Sequence, residues 1–305
     1  MISNLIITHA LIEPSVNLET FSAFTSSVEK HQKDVSVQFC SIQELVFVLK
    51  DQKPEIYFGQ KPLKDIADVL YLRNVEKFTD YANAVRLYAD ANKIKVINYE
   101  DVRLPYYGKV SQGFLYALLD LSTPEFASSP RNETLAAWLA AESYGFPFIL
   151  KDGNGIKGRR NYLVRDEKQL HHILSQESHN YVVQPYIENN GELRILTFGL
   201  GRHHLIFKKQ AVDGSHLNNT SQGGDASRVA DDDVSQDIHE AVDCILRATK
   251  RENIGIDVLI GTDGKWYVLE ANTTPALYTG AFPDMKASEY ADMLVAIHAN
   301  IVEHS

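Results

Sequence analysis

The sequence predicts a mixed α/β and α+β fold built in more than one unit, on three observations. Short runs rich in Val, Ile and Leu alternate with amphipathic stretches through the first hundred residues, the pattern of strands joined by helices in a parallel sheet. Residues 193–200 and 203–210 are two strand-like runs joined across Gly199-Leu-Gly201, which reads as an antiparallel hairpin. Residues 256–260 and 265–271 flank Gly261-Thr262-Asp263-Gly264, and Asp-Gly is a dipeptide that a type I′ hairpin turn favours.

In chain order, residues 4–9 read as a first strand, 18–31 as a helix, 35–40 as a second strand and 42–50 as a further helix. Strands follow at 68–73 and 95–99, with a helix over 79–92 between them. Together they make a small α/β unit over residues 1–103. It has no glycine-rich loop after its first strand, so it does not read as a dinucleotide site. Leu104-Pro105-Tyr-Tyr-Gly108 breaks the pattern. Helices fit 109–121 and 133–144, the second stopped by Gly145. Strands fit 147–151 and 161–164, a helix 166–176, and a strand 181–187 whose Pro185 suggests an edge or an end. After the 193–210 hairpin, the polar, glycine-rich residues 213–233 read as a functional or mobile loop. A helix over 235–252, the hairpin at 254–277 and a last helix over 287–303 complete the chain.

Composition narrows the function. The 305 residues suffice for a large core and more than one domain. There is no apolar run of about 18 residues, so no membrane span is expected. Met1-Ile2-Ser3-Asn4 carries no basic residue, and Leu5-Ile6-Ile7 is too short for a signal peptide. Cys40 and Cys244 both sit in apolar segments, as buried free thiols do, and a reducing cytoplasm is the expected compartment. A formal net charge of −10 argues against a general nucleic-acid or anionic-membrane surface.

The hairpin at 254–277 carries the strongest chemical signal. With Asp263-Gly264 as a two-residue loop, Thr262 pairs with Lys265, and counting back sets Asp257 opposite Glu270, about 5 Å apart at Cβ. Asn272 points the same way. Two carboxylates and an amide oxygen are hard ligands suited to Mg²⁺. The other reading, ordinary solvent-facing polarity, sits less well with the apolar neighbours Ile256, Val258, Leu269 and Ala271.

Three further groups could complete a site. Lys151-Asp-Gly-Asn-Gly-Ile-Lys-Gly-Arg-Arg160 puts three glycines and four cations in one loop between strands. Gly153, Gly155 and Gly158 would let backbone N–H groups approach phosphate oxygens. It is not a Walker A loop, and by itself it also reads as a basic solvated turn. Glu192 and Arg194 share one face of a strand, as a surface salt bridge would, or as a pair reaching a ribose or metal and a transferring phosphate. Lys208-Lys209, with Asn218-Asn219 downstream, would balance metal and phosphate charge, or form an ordinary polar rim. The pairs His171-His172 and His203-His204 lack metal spacing, and Ser and Cys nucleophile signatures are absent.

Taken in this order, the motifs resemble the ATP-grasp superfamily, and within it the RimK-like carboxylate–amine ligases. The resemblance covers roughly residues 104–285 and rests on Phe148-Ile-Leu-Lys151 with its loop, Val182-Val-Gln-Pro-Tyr-Ile187, Glu192-Leu-Arg194, Lys209 and Asn219-Thr-Ser-Gln-Gly-Gly224. It also rests on Ile254-Gly-Ile-Asp257 and Val268-Leu-Glu-Ala-Asn272-Thr-Thr-Pro275. It implies an ATP-grasp fold of two α+β subdomains, 104–187 and 188–305, with ATP between them, behind the 1–103 unit. Lys109 and Lys151 then look like ATP lysines, with the loop 153–160 closing over the phosphates. Gln184, Pro185, Tyr186 and Ile187 would hold adenine through main-chain groups, and Glu192 would reach the ribose side. Arg194 and Lys209 would face an acyl phosphate. Asp257, Glu270 and Asn272, with Asn219 nearby, look like the site for Mg²⁺, or Mn²⁺ in its place, and Asn218 and Asn219 count among the residues toward ATP. Pro185 stands where an acidic residue is usual, Arg160 where glycine is frequent, and Leu217 and Lys209 where arginines are frequent, which bears on substrate more than on chemistry.

The resemblance implies a ligase joining a small-molecule or peptide carboxylate to an amine through an acyl phosphate, with release of ADP and phosphate. A kinase acting on a hydroxyl, or a nucleotide-binding module without turnover, are the alternatives. Dimers or tetramers are common in families of this kind.

Overall fold

The computed structural model describes residues 7–50, 53–99, 108–141, 145–153, 160–176, 180–199, 203–210 and 225–303. Its first part runs β1 (Ile7–Glu13), α1 (Leu18–His31), β2 (Val35–Ser41), a 3₁₀ turn (Ile42–Glu44), β3 (Leu45–Lys50), β4 (Lys53–Phe58), β5 (Lys61–Pro62), β6 (Val69–Leu72), α2 (Thr79–Ala91) and β7 (Lys95–Ile97). Four of these strands form a parallel sheet in the order β2-β1-β6-β7. Both faces are covered, so the strands read as continuous apolar runs. Ala10, Ile12, Leu70, Leu72 and Val96 pack with Val85 and Ala89 of α2. Ile7, Leu11, Val35, Val37 and Val69 pack with Phe21, Phe24 and Val28 of α1. Asn17 caps α1 by accepting a hydrogen bond from the Thr20 N–H at 3.1 Å.

The helix expected over 42–50 is absent: a 3₁₀ turn leads into β3, which pairs antiparallel with β4. The reason is period 2. Leu45 is buried, Val46 exposed, Phe47 half-buried and Val48 exposed, an alternation that a short apolar run does not distinguish from helix on its own. The first strand lies over Ile7–Glu13, further along than the expected 4–9, and residues 1–6 lie outside those described.

The middle part runs α3 (Lys109–Leu118), β8 (Ala127–Ser128), α4 (Asn132–Ala141), β9 (Phe148–Asp152), β10 (Asn161–Val164), α5 (Glu167–Gln176) and β11 (Tyr181–Pro185). The antiparallel sheet β10-β9-β11-β8 turns Phe148, Leu150, Val164, Tyr181 and Val183 toward Leu135 and Leu139 of α4 and Leu170 of α5. By alternation, Ile149, Lys151, Val182 and Gln184 stand on the opposite face.

The last part runs β12 (Asn189–Phe198), β13 (His203–Gln210), β14 (Asp225–Val229), α6 (Gln236–Thr249), β15 (Gly255–Gly261), β16 (Trp266–Asn272) and α7 (Pro283–Glu303). These strands form an antiparallel sheet in the order β14-β13-β12-β15-β16. Leu193, Ile195, Ile206, Ile256, Val258 and Val268 pack on Ile238, Val242, Ile245 and Leu246 of α6. On the other face Leu196, Phe198, Leu205 and Phe207 join Tyr290, Ala291 and Leu294 of α7, in one core with the parallel sheet. The loop expected over 213–233 is partly strand, because β14 pairs with β13 from Ile206↔Val229 to Gln210↔Asp225, and residues 211–224 lie outside those described. Among the described residues no helix is long and apolar enough to cross a membrane. Cys40 is buried and free, its thiol pushed up to about 12 by burial and by Glu44, and Cys244 is free and partly buried.

His9 ties β1 to α7. It is fully buried; its Nδ1–H donates to the Val69 carbonyl at 2.9 Å, and the Tyr290 hydroxyl donates to Nε2 at 2.6 Å. Burial pulls its pKa from 6.5 down to about 4, against the hydrogen bond to Val69. The unfolded chain therefore binds this proton at higher pH than the native one. Stability from neutral His9 is complete above about pH 6.5 and is lost as the pH falls toward 4, roughly 2–3 kcal/mol by pH 4.5. Urea unfolding at pH 7 and pH 4.5 should show the native protein losing that much more stability than His9→Gln. Equal losses in the two proteins would refute the assignment.

Candidate active site

Asp257 and Glu270 are direct cross-strand partners, as the sequence count expects, but by another route. The Gly261 N–H donates to Lys265 O at 2.8 Å, so Thr262, Asp263 and Gly264 form a three-residue loop with Gly264 at φ +82°. The resulting one-residue offset holds from Ile260↔Trp266 to Val258↔Val268. A bulge then inserts Leu269 and restores Asp257↔Glu270, Ile256↔Ala271 and Gly255↔Asn272. The Asn272 amide donates to Glu270 Oε1 at 3.0 Å, so these two side chains lie together on the face opposite α6.

Asp257 is 4% exposed, and a carboxylate so buried requires partners. β12 and β13 supply them. Arg194, opposite Asp257 in the sheet, brings its Nε to 2.8 Å from Asp257 Oδ1, and Lys209 Nζ lies 3.0 Å from the same oxygen and 2.5 Å from Glu192 Oε1. Burial and the nearby Glu192 push the Asp257 pKa up to about 6, while Arg194 and Lys209 oppose the rise. Burial would lower the Lys209 pKa, but Asp257 and Glu192 outweigh it and the net shift is upward. Lys208 is not part of the cluster. Strand alternation turns it to the α6 face with Ile206, so only Lys209 of that pair meets the carboxylates.

Across the cleft, Lys151 of β9 faces this cluster. Burial lowers its pKa, the carboxylates Glu270, Glu192 and Asp257 pull it back up, and Lys109 adds to the lowering. Lys109, at the start of α3, holds its Nζ 3.8 Å from Glu270 Oε2. Gln112, one helical turn on, is a residue the sequence reading missed. Its Oε1 accepts from the Ala271 N–H at 2.8 Å, and its Nε2 donates to the Ala271 carbonyl at 3.1 Å, so a side chain stands in for a neighbouring strand along β16. The available signal was its placement on the same helix face as Lys109 and Tyr116, whose hydroxyl donates to Gln112 Oε1 at 3.0 Å.

Gly255 stands inside the Ile254-Gly-Ile-Asp257 motif, but its own role was missed. A Cβ there would lie 2.8 Å from Arg194 Nη1, 3.1 Å from Leu196 Cδ2 and 3.2 Å from Pro275 Cβ, so the guanidinium reaches Asp257 only over a bare backbone. Next to it, the strand ends of the parallel sheet grip both ends of the hairpin. Asn98 donates to Asn253 O at 2.6 Å and accepts from the Glu252 and Asn253 N–H groups, while the Tyr71 hydroxyl donates to Thr273 O at 3.0 Å. Arg73, in a buried ion pair with Glu13, donates to Pro275 O at 2.8 Å.

The remaining expected residues divide. Gly153 pairs its N–H with Asn180 O at 2.7 Å, and a Cβ there would meet that oxygen at 3.1 Å. Arg160 adopts φ +51°, the left-handed backbone where glycine is at ease, and lies 3.3 Å from Asp152. Gln184 lies on the cleft face beside Lys151. Pro185 ends β11, the Tyr186 N–H donates to Pro147 O at 3.3 Å, and Ile187 O accepts from the Asn189 amide at 3.1 Å. Gly155, Gly158, Asn218 and Asn219 lie outside the described residues.

Among the described residues no group of three or more His, Cys, Asp or Glu is arranged to hold a metal. The set is two carboxylates and an amide oxygen, backed by cations. That fits Mg²⁺, which usually takes one or two carboxylates and completes its shell with water and phosphate oxygens.

A sequence profile of the RimK-like ATP-grasp domain matches residues 110–292. Beta-citrylglutamate synthase B of Mus musculus is 31% identical over 137 residues, which is 43% of this chain and 34% of that protein. N-acetylaspartylglutamate synthase A of Mus musculus is 23% identical over 248 residues, 79% of this chain and 64% of that protein. The chain thus spans about a third of the length of the first of these. Among solved structures, a RiPP-associated ATP-grasp ligase of Chryseobacterium gregarium in complex with ADP and a leader and core peptide superposes with a TM-score of 0.69 at 14% identity, covering 95% of this chain and 97% of that one. D-alanyl-alanine synthetase A of Vibrio cholerae gives 0.68 at 14%, covering 97% and 99%. At such identities the superpositions show a shared fold, which is the ATP-grasp fold. The chain belongs to the RimK-like ATP-grasp family.

Gln112→Leu keeps most of the volume but strips both bonds from the Ala271 peptide. It should lower unfolding free energy in urea by about 2–3 kcal/mol. A loss below about 0.5 kcal/mol would mean the Ala271 groups find other partners.

Proposed function

We propose that the chain is an ATP- and Mg²⁺-dependent ligase that joins a small-molecule or peptide carboxylate to an amine. The observation that carries this is the convergence of Lys109, Lys151, Arg194 and Lys209 on Glu192, Asp257 and Glu270, in a cleft between two antiparallel sheets. Such a mixture suits a polyphosphate with its cation, since the lysines and the arginine can meet phosphate oxygens while Asp257 and Glu270 face a metal. The relatives support it: two are named as synthases of β-citrylglutamate and N-acetylaspartylglutamate, and solved neighbours are ATP-grasp ligases in complexes with ADP, with Mg, or with precursor peptides.

In this reading Asp257, Glu270 and Asn272 hold the metal, which neutralises phosphoryl charge when bound. Lys109 and Lys151 bind ATP phosphates with Gly153, Gly155 and Gly158 of the loop. Gln184 to Ile187 border the adenine, Glu192 lies toward the ribose, and Asn218 and Asn219 add polar contacts. A substrate carboxylate oxygen attacks the γ-phosphorus and ADP leaves. The amine nitrogen then attacks the acyl carbon, phosphate leaves, and the amine's proton passes to solvent. Arg194 and Lys209 stabilise the negative charge in both steps, with Asp257 holding the two cations in position until substrate arrives. The same reading divides the chain into residues 1–103, 104–187 and 188–305, and sets the reaction in the cytoplasm.

The test is ADP release by the purified protein, screened against amino-acid and peptide carboxylates with amines. Turnover should yield an amide and free phosphate, and Glu270→Ala should reduce kcat about 100-fold or more. A stable phosphoester as product would assign a kinase instead. ATP binding without ADP formation under every mixture, with Glu270→Ala indistinguishable from native protein, would overturn both.

A further inference from the structure

The antiparallel sheet β10-β9-β11-β8 has a second concavity, on the side away from the cleft. Phe148 and Leu150 of β9 turn toward α4 and α5, whereas Lys151 stands on the cleft face. Where β9 begins, α4 and α5 leave a cavity of about 840 Å³ between them. Small-molecule sites span roughly 300–1,000 Å³ and are mostly apolar. The α4 wall is Ala136, Ala137 and Ala140, side chains too short to fill the space, and the α5 wall is Leu170 and Leu174. Phe146 and Phe148 add a flat aromatic surface, their rings stacked 4.9 Å apart at 22°.

The charged part of the lining is acidic. Glu133 and Glu167 stand in the first turns of α4 and α5, and among the described residues that line the cavity none is lysine or arginine. An acid in a first turn suits its own helix whatever lies nearby. Helix stability does not, however, require that the first turns of two separate helices border one apolar cavity. Glu167 lies 3.5 Å from His171, whereas Glu133 has no ion-pair partner among the described residues. The apolar walls favour a flat hydrocarbon body, and the unpaired carboxylate favours a positive charge attached to it.

We infer that this cavity is a binding site for an aromatic amine, whose ring lies between the alanines of α4 and the leucines of α5 and whose ammonium group meets Glu133. The sheet divides it from the cleft, so it is distinct from the position of the amine in the ligase reaction, and the inference does not rest on that reaction.

Calorimetric titration of the full chain with naphthylethylamine, naphthylethanol and naphthylacetate separates the contributions of body and charge. The amine should bind once per chain. The alcohol should bind about threefold more weakly and the carboxylate about tenfold more weakly, the scale of an exposed ion pair lost and then reversed. Glu133→Gln should bring the amine to the affinity of the alcohol. Ala137→Trp should abolish binding of both with thermal unfolding unchanged, because position 137 is exposed and a large ring there occupies the cavity. An amine that binds Ala137→Trp as it binds the native protein is held elsewhere, the ligase cleft included, and overturns the inference. Equal affinities for amine and carboxylate, or no binding of any of the three, would also overturn it.

Discussion

A single buried carboxylate sets the terms for the candidate site. Asp257 lies on the face of a sheet where most of its neighbours pack against other elements, and leaving it uncompensated there would cost several kcal/mol. Compensation comes from one side of the sheet, Arg194 in the adjacent β12 and Lys209 in β13 beyond it, and Lys209 draws in Glu192 as well. The order β13-β12-β15-β16 matters here because it ranks these side chains across four strands on one face. The same face turns apolar further along, where Leu196, Phe198, Leu205 and Phe207 meet α7, so one sheet supplies a wall of the core and a floor of the cleft.

Holding that arrangement in register falls to residues outside the sheet. The hairpin β15–β16 has its turn in solvent and its open end under the parallel sheet. There Asn98, Tyr71 and Arg73 take hold of Asn253, Thr273 and Pro275, while Gln112 braces the outer edge at Ala271. The bulge at Leu269 would otherwise be a loose point, since it interrupts the ladder one residue from Glu270. The N-terminal unit and α3 thus position Glu270 and Asn272, although neither belongs to their sheet.

Much of this was legible in the sequence where local pattern governs. The helices at Leu18–His31 and Thr79–Ala91 and the parallel strands follow from apolar periodicity, and the motifs from Lys151 to Asn272 foreshadowed the family. The pairing of Asp257 with Glu270 was reached through two compensating deviations, a longer turn and a bulge, neither of which composition reveals. β3 was misjudged because five apolar residues suit either period until their partner strand is known. Lys208 was grouped with Lys209, although neighbours on a strand face opposite ways. The roles of Gln112 and Gly255 escaped notice because they lie in contacts with residues about 159 and 61 positions away, at Ala271 and Arg194, which no local window spans.

The core shared by the parallel sheet, the far end of β12–β13 and α7 has a consequence for how the protein is made. Ile7, Leu11, Val35 and Val69 are covered early by α1, but Tyr290, Ala291 and Leu294, which complete their packing, are made some two hundred residues later. At ordinary rates of translation the nascent sheet waits on the order of ten seconds or more with that face only partly covered. The parallel sheet therefore completes its packing only once α7 has been made, long after its own strands.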